Sequence, residues 1–180
     1  MLKTWIDASY APHPDTKSHT GGCLSLGRCV VMSKSSKQKL NSKSSTEAEV
    51  IGVSDVLPYN LCTIFFLNEQ GNQVVENELY QDNQSAIRME WNGRRSTGPQ
   101  SRHINIRYFW VKDAADREGI NITYSPTYRM LADFMPKPLQ GKLFKTFRDV
   151  IMGVAHVSTL DKLIGPPRKE RVENDVNNVN

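Results

Sequence analysis

An aspartate stands between a short apolar run and a helical pattern in the segment ENELYQDNQSAIRMEW, residues 76–91. Leu79 and Tyr80 are typical of a strand that ends at Gln81 and Asp82, and the helical pattern begins at about Asn83. Asp82 can cap that helix, since Asp is a favoured N-cap residue that accepts a hydrogen bond from a free backbone N–H. It can also be one of several carboxylates gathered at the ends of neighbouring strands.

Two other aspartates occupy comparable places. Asp7 ends a predicted first strand, LKTWID (2–7), and Asp133 in MLADFM precedes the last predicted helix. Asp133 also follows a strand that could pair beside the first strand. Each aspartate taken singly is as well explained by a surface position. Several together indicate a metal site, because clustered carboxylates suit Mg²⁺, and two such ions about 4 Å apart can promote phosphodiester hydrolysis.

A further acid is expected where the longest helix begins, in SKSSTEAEV. Ser44 with Glu47, and Thr46 with Glu49, both have the spacing of a capping box, so one glutamate is expected to be structural. Helical periodicity does not choose between Glu47 and Glu49. On this stretch alone, both glutamates are explained as acids that complement the helix dipole.

Two basic segments are candidates for phosphate contacts. Either one alone would be explained as a solvated loop, but both are also rich in Ser, Asn and Gly, which suits contacts to a nucleic-acid backbone. The net charge of +4 by itself only permits a polyanionic partner. The basic residues are Lys34, Lys37, Lys39 and Lys43 in SKSSKQKLNSK, and Arg94, Arg95, Arg102 and Arg107 in NGRRSTGPQSRHINIR.

The elements that must position these residues follow from the apolar pattern. Strands are predicted at 2–7, 20–27, 28–34, 77–81 and 120–126, and helices at 44–71, 83–91, 101–119 and 140–153, with a helical turn at 127–139. The longest helix has an apolar stripe of Val50, Val53, Leu57, Leu61 and Ile64. Pro58 is expected to kink or split this helix, because it lacks an N–H and clashes with the preceding turn.

The predicted order β-β-β-α-β-α-α-β-α defines an α/β domain. The first three strands should form an antiparallel meander, and the long helix should return the chain as a parallel neighbour of the first strand. Asp7 and Asp82 then lie at the carboxyl ends of adjacent strands, where such sheets bind ligands. Two acids placed there are a costly like-charge pair unless a cation lies between them.

Length and composition predict one domain, 1–153, followed by a tail, 154–180, that is mostly disordered because it is charged and rich in Asn. No segment approaches transmembrane length and the start lacks a signal peptide, so we expect no membrane partner and a cytosolic or nuclear protein. Cys23, Cys29 and Cys62 lack metal-ligand spacing and are expected to be buried thiols.

Five segments, taken together, resemble a known family. WIDASY, SKQKLNSKSSTEAEV, QDNQSAI, SRHINIRYFWVKD and LADFMPKPL are similar, in order and spacing, to the ribonuclease H domain of copia-type LTR retrotransposon polyproteins, from about residue 2 to residue 153. The resemblance implies a mixed five-stranded sheet flanked by helices and hydrolysis of the RNA strand of RNA–DNA hybrids. It also implies two Mg²⁺ ions, with Mn²⁺ as an alternative, and a reverse transcriptase domain in the same polyprotein as a partner. Such a protein is expected in cytoplasmic element particles, with the nucleus as the alternative, and is not expected to be secreted.

The same resemblance assigns the catalytic and metal-binding roles to Asp7, Glu49, Asp82 and Asp133, which leaves Glu47 to cap the helix with Ser44. Basic residues from Lys34 to Lys43 and from Arg94 to Arg102 would hold the nucleic-acid backbones. His103 matches a family position, with a structural or phosphate-contacting role.

Three departures from the family pattern stand out. Pro58 interrupts the longest helix, and the other two lie near Asp133. Pro136 replaces a threonine and could displace Asp133, and SPTYRML has Tyr128 or Arg129 where some cellular relatives have a histidine. The departure at Pro136 leaves an alternative open, a catalytically decayed fragment that binds nucleic acid. DNA strand transfer by a related polynucleotidyl transferase is disfavoured because the motifs match the ribonuclease branch.

Overall fold

The computed structural model describes residues 1–92 and 102–165, with the side chains of 102–106 and 108 left out of the description. The strands and α-helices are β1 (Leu2–Ser9), β2 (His19–Ser25), β3 (Val30–Lys37), α1 (Ser45–Glu69), β4 (Asn77–Gln81), α2 (Gln84–Asn92), α3 (Arg102–Glu118), β5 (Asn121–Tyr124) and α4 (Gly141–Ile151). Within the described residues, 3₁₀ helices cover Thr127–Arg129, Leu131–Phe134 and Val157–Lys162. The predicted order of strands and helices is confirmed.

The five strands form one mixed sheet in the order β3-β2-β1-β4-β5. β1, β2 and β3 form the predicted antiparallel meander, and β4 runs parallel to β1 after the α1 crossover. β5 pairs with β4 and not with β1, so the prediction of a last strand beside the first is wrong. Both edges of β1 are already paired, with β2 and β4, and the free edge of β4 is the one that receives β5.

β3 extends further than the sequence predicts. The strand was expected to end at Lys34, but the antiparallel register with β2 continues to the pair His19↔Lys37. Serine and lysine are weak β-formers, so composition alone predicts a loop here. Backbone pairing along β2 overrides that preference, because β2 remains regular over the same length.

α1 covers one face of the sheet. All five residues of its predicted apolar stripe are buried. Four of them pack with Leu2, Ile6, Leu24 and Leu79 of the strands, and Val50 packs against Ala86 of α2. α1 is one continuous helix through Pro58, so the prediction of a split is wrong. Pro58 is exposed, and the buried residues on either side of it, Leu57 and Leu61, hold both halves of the helix on the sheet.

α1 also corrects the expectation that no segment approaches transmembrane length. Among the described residues it is the one helix that is long and apolar enough to cross a membrane by length and composition, and half of that stretch is buried within the protein. Its apolar side faces β1 and β2, which accounts for this composition as that of a core helix.

A second core lies on the opposite face of the sheet. Trp5 and Cys23 of the strands pack there against Leu131, Phe147 and other residues of the C-terminal region. The 3₁₀ helix Val157–Lys162 contributes two buried residues, Val157 and Leu160. The packed domain therefore continues past the predicted boundary at residue 153, while the predicted disorder of 166–180 lies outside the described residues.

The cysteines differ from the expectation of three buried thiols. Cys23 is buried, Cys29 is half-buried and Cys62 is exposed on α1. Burial raises the pKa of the Cys23 thiol to about 12. The prediction is wrong for Cys29, which adjoins Gly153, and for Cys62, which lies on the side of α1 that faces away from the sheet.

Candidate active site

Three aspartates meet at one edge of the sheet. Asp7 near the end of β1, Asp82 directly after β4 and Asp133 in the 3₁₀ helix Leu131–Phe134 each offer a carboxylate oxygen, and these oxygens lie within 4.8 Å of one another. The parallel register Trp5↔Tyr80 places Asp7 and Asp82 two residues further along adjacent strands. Asp7 and Asp133 are buried and Asp82 is half-buried. The structure thus brings together three of the four acids that the sequence singled out.

Asp82 does not cap α2. The carboxamide oxygen of Asn83 accepts hydrogen bonds from the backbone N–H groups of Ser85, at 3.0 Å, and Ala86, at 3.1 Å, and so provides the cap. Asp82 instead accepts a hydrogen bond of 3.0 Å from the hydroxyl of Thr127. A helix-capping role for Asp82 is therefore excluded, and its carboxylate is available to the cluster with Asp7 and Asp133.

Thr127 is the residue of the segment SPTYRML that contacts the acids. Sequence comparison drew attention to Tyr128 and Arg129 at this place, but the Arg129 guanidinium donates to the carbonyl of Leu163 at 3.0 and 3.2 Å and lies over the Tyr128 ring. These two residues therefore fasten the C-terminal segment. No sequence signal distinguished Thr127, because its role depends on how β5 aligns with β4.

The two glutamates at the start of α1, Glu47 and Glu49, have different surroundings. Ser44 is the N-cap residue, and its hydroxyl accepts from the backbone N–H of Glu47 at 3.2 Å. The Glu47 carboxylate in turn accepts from the backbone N–H of Lys43 at 2.6 Å. Glu47 is therefore the structural glutamate, as the resemblance implied.

Glu49 is buried beside β1, where the backbone N–H of Ala8 hydrogen-bonds to its carboxylate. Burial, followed by the negative charges of Asp7 and Asp82, raises the pKa of Glu49 well above its usual value. Although Glu49 is not one of the three closest acids, it belongs to the same electrostatic group.

A cation lies between Asp7 and Asp133, and not between Asp7 and Asp82, the pair for which the like-charge argument called for one. The Lys137 ammonium donates to Oδ1 of Asp7 at 3.1 Å and to Oδ1 of Asp133 at 2.9 Å. A backbone hydrogen bond from Lys137 N–H to the Asp133 carbonyl forms the turn that brings the two residues together. Lys137 is a site residue that was not predicted, although a lysine four residues after Asp133 is a usable sequence signal.

Burial dominates the electrostatics of the cluster. It raises the pKa of Asp7, an effect that Lys137 partly offsets. Burial and then the charge of Asp7 raise the pKa of Asp133 to about 7. Burial alone would lower the pKa of Lys137, but Asp7 and Asp133 raise it above its usual value.

The donor set fits a hard divalent cation. Oδ2 of Asp7 and Oε2 of Glu49 are buried and have no hydrogen-bond partner within the described part of the chain. Buried carboxylate oxygens without a partner are costly. A Mg²⁺ or Mn²⁺ ion would satisfy these oxygens and lower the repulsion among the acids.

Pro136 is accommodated without displacing Asp133 from the cluster. Gly21 of β2 lies against it: a Cβ at Gly21 would be 2.5 Å from Cδ of Pro136 and 2.8 Å from the carbonyl oxygen of Ala132. The hydroxyl of Ser9 donates to the Pro136 carbonyl at 3.4 Å. The glycine therefore makes room for the proline, and Asp133 lies in the cluster with Asp7 and Asp82.

The predicted phosphate-contacting residues are in different situations. Lys34 and Lys37 lie in β3 and not in a loop; Lys34 donates to the Asp55 carbonyl and lies over the Tyr59 ring, and Lys37 pairs with Asp15. Lys39 and Lys43 are exposed. Arg107 donates to Ser54 Oγ and pairs with Asp55. The other candidates, Arg94, Arg95 and the side chains of Arg102 and His103, lie outside the described residues.

The fold is that of ribonuclease H domains. The chain superposes on ribonuclease H1 LC11 from a compost metagenome with a TM-score of 0.56 and 12% identity, covering 73% of this chain and 89% of that one. The N-terminal ribonuclease H domain of a Mycobacterium tuberculosis protein gives a TM-score of 0.52 at 12% identity, over 82% and 96% of the two chains. The same LC11 enzyme in complex with an RNA/DNA hybrid gives 0.52 at 11% identity, over 75% and 93%.

The homologous sequences are retrotransposon polyproteins. The Retrovirus-related Pol polyprotein from transposon TNT 1-94 of Nicotiana tabacum is 28% identical over 152 residues, which is 84% of this chain and 11% of the polyprotein. The Ty1-JR2 Gag-Pol polyprotein of Saccharomyces cerevisiae is 28% identical over 139 residues, 77% of this chain and 8% of the polyprotein. No family model matches the chain.

Fold and homologues together agree with the ribonuclease H domain of a copia-type retrotransposon, so the predicted resemblance is confirmed. The chain spans about a tenth of the length of these polyproteins.

Proposed function

We propose that this protein hydrolyses the RNA strand of RNA–DNA hybrids as the ribonuclease H domain of a retrotransposon polyprotein. The observation that carries the proposal is the meeting of Asp7, Asp82 and Asp133 within 4.8 Å at the edge of a ribonuclease H sheet, with Glu49 beside them. The hybrid bound by the solved LC11 enzyme supports the choice of substrate.

The four acids would together hold two divalent ions. Asp7 and Asp82 would bridge or hold the ions, Glu49 would complete one site and Asp133 would complete the other. When bound, such ions promote attack of water on the phosphodiester and stabilise the leaving oxygen. The remaining residues hold the carboxylates in place: Thr127 fixes one oxygen of Asp82, and the Ala8 N–H fixes Glu49.

Substrate recognition would depend on the backbone and shape of the hybrid. Exposed Lys39 and Lys43 would contact phosphates, as would Lys37 when it leaves Asp15. The 2′-hydroxyl and the helix form would mark the RNA strand, so little sequence preference is expected. A reverse transcriptase domain of the same polyprotein would be the natural protein partner, within cytoplasmic element particles.

The experiment is cleavage of a hybrid whose RNA strand is labelled, in Mg²⁺ and in EDTA, with Asp7→Asn as the variant. We expect Mg²⁺-dependent loss of RNA, and a decrease of at least about a hundredfold in Asp7→Asn, because removal of a single preorganised electrostatic group costs that much in other enzymes. Hybrid binding by the variant should remain measurable.

Plain duplex DNA and single-stranded RNA serve as control substrates. An active Asp7→Asn protein would contradict the assignment of the acids. Hybrid binding by a folded protein without any Mg²⁺-dependent cleavage would favour the alternative of a decayed, binding-only domain. Cleavage of plain duplex DNA would favour a polynucleotidyl transferase instead.

A further inference from the structure

Lys137 binds the same carboxylates that a divalent ion requires. Its ammonium lies 3.1 Å from Oδ1 of Asp7 and 2.9 Å from Oδ1 of Asp133, and the side chains of both aspartates are only 2% exposed. A hard cation in this cluster would take oxygens of these same two residues. The ammonium occupies Oδ1 of each aspartate, so a metal ion that binds these carboxylates must lie beside the positive charge of Lys137 or displace it.

The geometry points to a tethered counter-ion: we propose that Lys137 neutralises Asp7 and Asp133 when no divalent ion is bound, and that metal binding displaces its ammonium from them. The proposal rests on the proposed function only in taking these aspartates as metal ligands. It assigns to Lys137 a positioning role, because the lysine sets the starting charge and arrangement of the acids.

The surroundings of Lys137 allow such an exchange. Its side chain is 32% exposed, so the ammonium has a route to solvent, whereas the two aspartates do not. The link to Asp133 is the backbone turn from Lys137 N–H to the Asp133 carbonyl at 3.1 Å, which does not involve the ammonium. The side chain can therefore leave the acids while the turn remains intact.

The charge on Lys137 should increase the stability of the metal-free protein and decrease its affinity for a divalent ion. Without metal, it stabilises the fold, since removing it leaves buried carboxylates without a partner. With metal, it opposes binding, since a neighbouring charge within about 4–6 Å shifts an ionic equilibrium by roughly one to three powers of ten. If Lys137 only supported the turn, its removal would lower both the stability without metal and the metal affinity, or would leave the metal affinity unchanged.

The test compares Lys137→Met, which keeps the length of the side chain, with Lys137→Arg, which keeps the charge. Mn²⁺ affinity is measured by isothermal titration calorimetry without nucleic acid, and thermal unfolding is followed in EDTA and in Mn²⁺. We expect Lys137→Met to bind Mn²⁺ at least about tenfold more tightly than the parent. Lys137→Met should also unfold at a lower temperature than the parent in EDTA, and Mn²⁺ should raise its unfolding temperature by more. Lys137→Arg should stay close to the parent in both Mn²⁺ affinity and unfolding temperature.

Lys112→Met is the matched control, because Lys112 is also half-buried and its ammonium also pairs with an aspartate four residues away, Asp116, outside the candidate site; it should leave Mn²⁺ affinity unchanged. A Lys137→Met protein that folds only when Mn²⁺ is added would support the proposal. Unchanged or weaker Mn²⁺ binding by Lys137→Met, absence of binding in both proteins, or a variant unfolded in both conditions would overturn it.

These outcomes do not depend on cleavage. A protein that shows the exchange but does not hydrolyse the hybrid would contradict the proposed function alone. A protein that cleaves the hybrid but shows no gain in Mn²⁺ affinity would contradict the role of Lys137 alone.

Discussion

Glu90 of α2 is a buried carboxylic acid outside the candidate site. It is 0% exposed, and neither of its carboxylate oxygens has a hydrogen-bond partner among the described residues. Burial raises the pKa of Glu90 well above its usual value, and the neighbouring Gln81 amide offsets only part of this effect. Glu90 is therefore held in its neutral form over a range of pH in which the unfolded chain ionises.

Glu90→Gln is predicted to flatten the pH dependence of stability. Because the folded pKa of Glu90 is raised, its contribution to stability is fully present below the unfolded pKa and is lost as pH rises toward the folded pKa. Between the unfolded and the folded pKa of Glu90, the free energy of unfolding of the variant should rise relative to that of the parent by up to about 1.4 kcal/mol per pH unit. Urea unfolding of both proteins at about pH 5, 6 and 7 measures the difference.

Glu69→Gln, at an exposed position at the end of α1, is the control for Glu90→Gln and should change the free energy of unfolding by no more than about 0.5 kcal/mol. A constant difference between the parent and Glu90→Gln would mean that Glu90 is ionised in the folded protein.

At the scale of residues, sequence reasoning reached the acids that lie in motifs and missed the groups that hold them. Asp7, Asp82 and Asp133 could be proposed because strand ends meet at one edge of a sheet. Thr127 could not, because its hydroxyl reaches Asp82 only through the way β5 aligns with β4, whereas the position of Lys137, four residues after Asp133, was a usable signal.

Individual elements show where local preference and tertiary packing disagree. The polar residues of β3 predict a loop and Pro58 predicts a broken helix, yet both segments are regular. In each case contacts with a neighbouring element override the local preference. β2 pairs with β3 over its whole length, and the sheet holds α1 on both sides of Pro58. Helices and strands with a strong apolar period were predicted correctly because packing and preference agree there.

The last 3₁₀ helix shows the opposite error, a packed element that composition assigns to a disordered tail. Leu160 is 3% exposed and lies in the core with Trp5, Phe147 and Val150. Leu160→Ala should destabilise the protein by about 2–5 kcal/mol, because it removes buried methyl groups and leaves a cavity. The urea midpoint is the measurement.

Val154→Ala is the control for Leu160→Ala, since Val154 is 80% exposed, and it should change stability by no more than about 0.5 kcal/mol. If the two variants unfolded at the same urea concentration, residues 157–162 would not belong to the folded domain.

The whole molecule explains why the acids lie where they do. Two cores, one under α1 and one under the C-terminal elements, fix the sheet from both faces, and the acids converge from β1, β4, α1 and the 3₁₀ helix Leu131–Phe134 at one edge. Each acid is on a different element, so no short segment could reveal the cluster. The order of the motifs along the sequence could reveal the cluster, because it matches the order in which the chain reaches that edge of the sheet.

The most direct test of this arrangement is a comparison of the two glutamates at the start of α1. Glu47 closes the helix cap with Ser44 and Lys43, while Glu49, two residues later, faces Ala8 and the aspartates. The measurement is the initial rate at which Glu49→Gln and Glu47→Gln cleave the RNA strand of a hybrid in Mg²⁺.

Glu49→Gln should slow cleavage by at least about a hundredfold with hybrid binding retained. Glu47→Gln should keep a rate within a few-fold of the parent and lose about 1 kcal/mol of stability from the weakened cap. Equal rates in the two variants, or a greater loss in Glu47→Gln, would contradict the account of a four-acid site.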